Sequence, residues 1–319
     1  MEIKKKKSMY SRYEKADWPF VYMMIALPVI QCFIFWFCVK VDSISLAFQT
    51  PVGEFTWSNF KDVWTAIVDK DVYYGFNVME LLGRSLSLWA ISNLVTFPLG
   101  LMSTYVLFRR VCGHYVFRVC YSVPGLVGAV VWTASVTQMM GNGGAVIYIL
   151  QNLGAELPPL AVKQGLFSHV DTAFPAIFWM TFILGLAGGN VVITGAYARI
   201  PAELYEVGKL EGIGFWTEWF KVALPCAWPT VAMQITLNLC GIFTADGNVF
   251  LYSNGTGEPG MATMGYYLYF LTYKISQSSA ANLPYGYPSA LGLFLTAITM
   301  PIVLGGRWLL ERLVEPVET

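Results

Sequence analysis

The sequence predicts an all-α, polytopic membrane bundle of six transmembrane helices. Three observations predict it. Hydrophobic residues make up 56% of the 319 residues and charged residues only 13%, about half the charged share of a soluble domain, so a globule of this size has too few charges for a polar coat. Aromatic residues reach 16%, with 11 Trp, 18 Tyr and 21 Phe, a complement suited to many lipid–water boundaries. Six apolar stretches approach the roughly 20 residues that a helix needs to cross about 30 Å of hydrocarbon. The same counts exclude a disordered chain, and zero formal net charge excludes a nucleic-acid partner. Six cysteines are too few for a disulfide framework. Cys32, Cys38, Cys120, Cys226 and Cys240 lie in apolar stretches, where a thiol acts as a small hydrophobe.

The six predicted spans run Phe20 to Val39, Leu86 to Phe108, Phe117 to Met139, Phe174 to Tyr197, Ala227 to Leu251 and Ser289 to Leu310. Only helices and closed barrels satisfy their backbone in lipid, and stretches this long and apolar read as helices. Pro28, Pro98, Pro124, Pro229 and Pro301 fall inside or at the ends of spans, which implies kinks supported by neighbouring helices. With a cytoplasmic N-terminus, 14 of the 20 Lys and Arg fall in inner segments, including Lys4 to Lys7, Arg109, Arg110, Arg199, Lys209 and Arg312. The positive-inside rule therefore places both termini in the cytoplasm. Residues 1–19 then form a basic inner segment, residues 20–85 the first span and an outer loop, residues 86–310 the core, and residues 311–319 an inner tail. The first span is too long for a signal peptide, and no cleavage pattern follows it.

Outside, Trp57 to Val68 is amphipathic, with Phe60, Val63, Trp64 and Ile67 on one face. Gly141 to Gly144 and Ser253 to Gly257 are turn clusters, and the apolar piece Ala145 to Leu153 is too short to span. Inside, residues 198–225 carry most information. Pro201 suits the first position of a helix, and Glu203 its electrostatically favoured first turn. Gly212 and Gly214 supply a sharp break. A second helical piece, Phe215 to Val222, ends at Pro225. A helix, a glycine corner and a second helix make a docking element rather than a tether.

This segment resembles the coupling loop of ABC importer permeases, in which Glu-Ala-Ala, three residues, Gly and nine residues precede Ile-x-Leu-Pro. Glu206 takes the Glu position and Gly212 the Gly, and nine residues separate Gly212 from Val222-Ala223-Leu224-Pro225. Val207 and Gly208 replace the two alanines, and Val222 the isoleucine; Gly208 weakens the first helix by about 1 kcal/mol against Ala. The preceding run Ile200 to Tyr205 resembles the maltose-permease type. Taken singly, Glu203, Glu206 and Lys209 read as an ordinary solvated face; the joint spacing sets them apart.

The resemblance implies a type I importer fold and a chain that forms half of a translocation pathway with a second, homologous permease. It implies further partners: an ABC ATPase dimer that binds ATP and Mg, an extracellular solute-binding protein, and a carbohydrate substrate, an oligosaccharide. No phosphate-cradling G-x-x-x-x-G-K-[ST] loop occurs in the chain, so no cofactor and no enzymatic activity is expected of it. Glu206 is expected to pair with a base on the ATPase, with Glu203 and Lys209 beside it. Gly212 would form the corner, and Leu224-Pro225 would begin the fifth span.

Polar residues inside spans are candidates for the solute path, although helix–helix hydrogen bonding accounts for many of them; Asn93, Gln138, Asn190, Gln234, Asn238 and Asp246 are the clearest. The resemblance places family sugar contacts at Tyr121 and Gly125 on the third span. It places others at Thr181, Leu184, Gly185 and Gly188 on the fourth, and at Gly241, Ile242 and Ala245 on the fifth. So many small residues imply a roomy passage whose selectivity rests with the binding protein. An importer of glycerol-phosphate or another polar solute is the near alternative; against a phosphate-bearing substrate stands the lack of a Lys or Arg at mid-span. A secondary transporter would need ionisable groups for ion coupling, and an intramembrane enzyme a Ser–His or paired-Asp arrangement; His114 and His169 lie outside the predicted spans.

Overall fold

A computed structural model describes residues 20–68, 72–73, 76–109, 113–154, 156–187, 191–245, 248–252, 260–277 and 285–313. The basic N-terminal segment, Lys70, Arg110, Gly188, Asn190, Asp246, the turn cluster 253–257 and the tail from residue 314 lie outside them. Among the described residues the protein is mostly helical, with one short antiparallel pair, Val72–Tyr73 and Phe76–Asn77, and four helices are long and apolar enough to cross a membrane. They are α1, Phe20–Ala47; α3, Val78–Phe108; α11, Phe215–Leu239; and α14, Gly286–Leu313. Large apolar side chains such as Met23, Leu27, Phe35, Leu94, Met300 and Leu304 are exposed along α1, α3 and α14, as a lipid-facing surface requires.

One predicted span is interrupted. The third divides into α4, His114–Leu126, and α5, Ala129–Met140, because Val127 and Gly128 are extended, with ψ of 127° and 142°. Gly128, a poor helix former, stands at the break and precedes α5. The fourth is described as α8, Val170–Ala187, and α9, Val191–Ala198, with residues 188–190 outside the described residues. The fifth is displaced: the helix begins at Phe215 rather than Ala227 and ends at Leu239 rather than Leu251. Residues 241–244 beyond it form turns.

Pro98 of α3 and Pro225 of α11 each follow a π-helical turn. Ile91–Thr96 ends two residues before Pro98, and Trp219–Ala223 two residues before Pro225. A wider turn moves the preceding carbonyls away from the pyrrolidine ring, so the helix continues where a regular one would break. Leu224-Pro225 thus lies inside α11 rather than at its start.

The described residues of Met1–Val63 and Ser279–Leu293 form one compact unit, and those of Trp64–Ser278 and Phe294–Thr319 another. In the first unit, Asn59 donates to the carbonyls of Ala47 and Gln49, both at 3.0 Å. The amphipathic stretch is α2, Ser58–Val68. Its inner face is Val63 and Ala66, whereas Trp64 is 58% exposed; at a 3.6-residue period Trp64 falls on the edge of the buried stripe rather than within it. The second unit also holds short helices: α6 (Ala145–Asn152), α7 (Pro159–Gln164), α10 (Ala202–Leu210), α12 (Val249–Tyr252) and α13 (Met264–Ser276). Its main core gathers Leu101 and Tyr105 of α3, Ile193 and Tyr197 of α9, Tyr205 of α10, and Trp219, Ala223 and Ala227 of α11. That core is where the candidate site is held.

Candidate functional site

Residues 200–223 fold as a joint between α9 and α11. Pro201 caps α10 from outside the helix, with φ −56° and ψ 135°, one residue earlier than expected; its carbonyl still accepts the amide of Leu204 at 3.2 Å. At the other end Gly212 has φ +68°. The amide of Gly212 donates to Lys209 at 3.2 Å, and that of Ile213 to Gly208 at 3.1 Å. This paired closure is the Schellman arrangement, which needs a left-handed residue where Gly212 stands. Gly214 then opens α11, accepting the amide of Glu218 at 2.9 Å.

The two faces of α10 differ sharply. Tyr205 and Gly208 are buried, while Glu203, Glu206 and Lys209 are exposed. Among them stand Leu204, Val207 and Leu210, exposed at 40%, 52% and 88%. Glu203, Val207 and Leu210 share the i, i+4, i+7 spacing of one helix face. On α11, Trp216 and Phe220 are also exposed, so the joint offers apolar side chains ringed by carboxylates and a lysine.

The inward side is tied down by a polar cluster in which residue-by-residue reading of the sequence assigned no part to Glu218. Glu218 is only 4% exposed. Its Oε1 accepts the Tyr105 hydroxyl at 2.6 Å, and Nη2 of Arg109 stands 2.9 Å from both carboxylate oxygens. The Arg109 guanidinium lies 4.9 Å over the ring of Tyr205, so one residue beyond α3 grips both arms of the joint. Burial pushes the Tyr205 phenol up to about 12; the Arg109 charge opposes that rise and Glu218 adds to it. Trp219 Nε1 donates to the Tyr197 hydroxyl at 3.3 Å, which reaches the Leu101 carbonyl at 3.4 Å. The available signal was a single carboxylate inside the aromatic run Phe215 to Phe220, since a charge buried among rings needs a partner.

Tyr121 lines an apolar cavity of about 690 Å³ with Leu99, Met102, Phe117 and Leu186, and its hydroxyl lies 2.6 Å from Ser103 Oγ. Thr181, Leu184, Gly185 and Asn238 do not line that cavity. Gly125 lies near the end of α4. At Gly185 the space of a side chain is filled by Thr96, so this glycine allows α8 to pack on α3 rather than widening a passage. Asn238 accepts Trp89 Nε1 on its backbone carbonyl at 2.8 Å. Gly241, Ile242 and Ala245, expected on the fifth span, follow the end of α11, with the Ala245 amide bonded to Gly241 at 3.0 Å and Ile242 buried. Asn93 donates to the Trp89 carbonyl one turn back at 2.9 Å, and Gln138 lines a groove with Thr133, Thr137, Asn142 and Phe250.

No protein-family model matches the chain. A probable ABC transporter permease protein of Brucella abortus is 20% identical over 287 residues, 88% of this chain and 92% of its own length. The multiple sugar-binding transport system permease protein MsmF of Streptococcus mutans is 22% identical over 79% of this chain and 85% of its own. The maltose/maltodextrin permease MalF of Escherichia coli is 24% identical over 82% of this chain, which spans 50% of that larger protein. Among solved structures, a bacterial ABC transporter that imports the acidic polysaccharide alginate superposes with a TM-score of 0.72 at 20% identity, covering 94% of this chain and 98% of the other. The same value is found for the alginate transporter in complex with its periplasmic protein bound to an alginate pentasaccharide. The chain therefore has the fold of these permeases, and its relatives include permeases of sugar uptake.

Proposed function

We propose that this chain is the membrane-spanning permease subunit of an ATP-driven, binding-protein-dependent importer of carbohydrate, an oligosaccharide. It provides one half of the translocation path, a second homologous permease provides the other, and an ABC ATPase dimer holds ATP and Mg. A type I arrangement with six crossings would take α4–α5 as one further crossing and α8 with α9 as another, in addition to the four continuous helices. Both termini and the joint face the cytoplasm of a bacterial cell, as the distribution of Lys and Arg favours.

The observation that carries this reading is the two-sided character of α10. Its inner face is anchored through Tyr205, while Glu203, Glu206, Val207 and Leu210 stand exposed in a short, sharply ended helix. Such a knob fits a cleft on another protein. Glu206 and Glu203 would meet basic groups there, Lys209 an acidic one, and Leu210 an apolar pocket. ATPase closure then moves the joint, and α11, continuous through Leu224-Pro225, carries the displacement along the helix. Solute would pass near Tyr121, Thr181, Leu184 and Asn238, with Gly241, Ile242 and Ala245 at the far end of α11.

The test is Glu206→Lys in the assembled transporter. Expected is loss of uptake and weakened ATPase co-purification with unchanged membrane content of the subunit. Unaltered uptake and association would remove Glu206 from the docking contact.

A further inference from the structure

The geometry points to Arg109 and Glu218 as a positioning pair that makes the joint and α3 move as one lever. This inference rests on the docking reading above and goes beyond it, because docking concerns the outer face of α10 and the pair lies on the inner side.

Three features converge. Tyr105 and Arg109 are one helical turn apart, and both engage the same buried carboxylate, at 2.6 Å and 2.9 Å. Arg109 also stacks on Tyr205, so a single guanidinium joins the first arm of the joint to the second. One turn earlier on α3, the Leu101 carbonyl receives the Tyr197–Trp219 chain of hydrogen bonds. Leu101, Tyr105 and Arg109 therefore form one stripe, at i, i+4 and i+8, along which α3 holds the loop.

Apolar packing alone is non-directional and lets helices slide over one another. A buried carboxylate held by two donors from one helix permits a single arrangement, since any slide leaves a charge unpaired in a dry site. Force arriving at α10 would thus reach α3 without slack. The ring contact also explains an arginine: its planar guanidinium lies over Tyr205 while Nη2 reaches the carboxylate, a combination to which a lysine ammonium is less suited.

The experiment uses the assembled permease–ATPase complex in lipid vesicles, with native cysteines replaced. Spin labels at Ala202→Cys on α10 and Leu99→Cys on α3, both exposed positions, report one distance without nucleotide and one with ATP plus vanadate. A narrow distance common to both states is expected. With Glu218→Gln it should broaden or shift by several ångströms (about one helical turn at most, 5.4 Å) on adding nucleotide. If Glu218→Gln does not assemble, Arg109→Lys carries the same expectation. A lost structural support would lower thermal stability alone and leave the nucleotide dependence of the distance unmoved. A distance that changes with nucleotide in the unsubstituted protein, or one that stays fixed in an assembled variant, overturns the lever. A cross-linker at Glu211→Cys separates the two readings. Capture of the ATPase together with either contrary distance removes the lever and leaves docking; no capture removes both.

Discussion

The amide of Ile213 donates to the carbonyl of Gly208 at 3.1 Å, and the Ile213 side chain occupies the space that a Cβ on Gly208 would need. The glycine in place of an alanine at this position of the loop is therefore a packing choice. It lets Ile213 fold back against α10, and the helix that glycine weakens is restored by the closure around Gly212.

That closure predicts the response to Gly212→Ala. Nothing lies within 4 Å of a Cβ added there, but φ is +68°, so the cost is backbone strain alone, about 1–2 kcal/mol. Chemical denaturation in detergent should show that loss, with Gly212→Asn milder because asparagine tolerates the left-handed region. Equal stability of all three proteins would mean that the corner is not held in this conformation.

Removing one member of the Arg109–Glu218 pair should be severe. Arg109→Ala leaves the Glu218 carboxylate, 4% exposed, without its counter-charge, and loss of one partner of a buried pair costs about 3–5 kcal/mol. Tyr105→Phe removes a single hydrogen bond to a charged group, worth about 1.5–3 kcal/mol. A thermodynamic cycle across the two substitutions should be non-additive, since both act on one carboxylate; additive losses would contradict the shared site.

Gly185 offers a steric test. An alanine there would press on Thr96, an overpacking cost of about 1–3 kcal/mol. Thr96→Ala removes the methyl in the way, and the double variant should recover most of the loss. Failure of that rescue, judged by thermal unfolding, would separate the two helices at this point.

The Tyr205 phenol yields a prediction in alkali. Its folded value is pushed up to about 12 from an ordinary 10, by burial first. The unfolded chain therefore releases this proton at lower pH than the folded one, and stability present below pH 10 declines as pH rises toward 12. Tyr205→Phe should flatten that part of the profile. An unchanged slope between pH 10 and 12 would show that the phenol is not buried as described.

Much of this architecture was legible in the chain. Apolar length reveals a span because lipid selects on local composition, and Gly212 reveals a corner because a positive φ is a property of one residue. The start of the fifth span differs for a related reason: Pro225 reads as a stop, yet the π-helical turn Trp219–Ala223 carries α11 through it. Ridges of small residues were ambiguous as well. Gly185 serves close packing against Thr96, a purpose that depends on a helix about ninety residues away.

By itself the sequence determined the class of protein, the approximate positions of its membrane helices and the helix–corner–helix form of the loop, all of which follow from composition and short-range dihedral preference. Only the tertiary structure decided which face of α10 is free and which is anchored. That choice depends on Arg109 and Glu218, 109 positions apart, meeting in a dry core. A buried charge takes its partner from whichever helix packs beside it, and spacing along the chain carries no record of that neighbour.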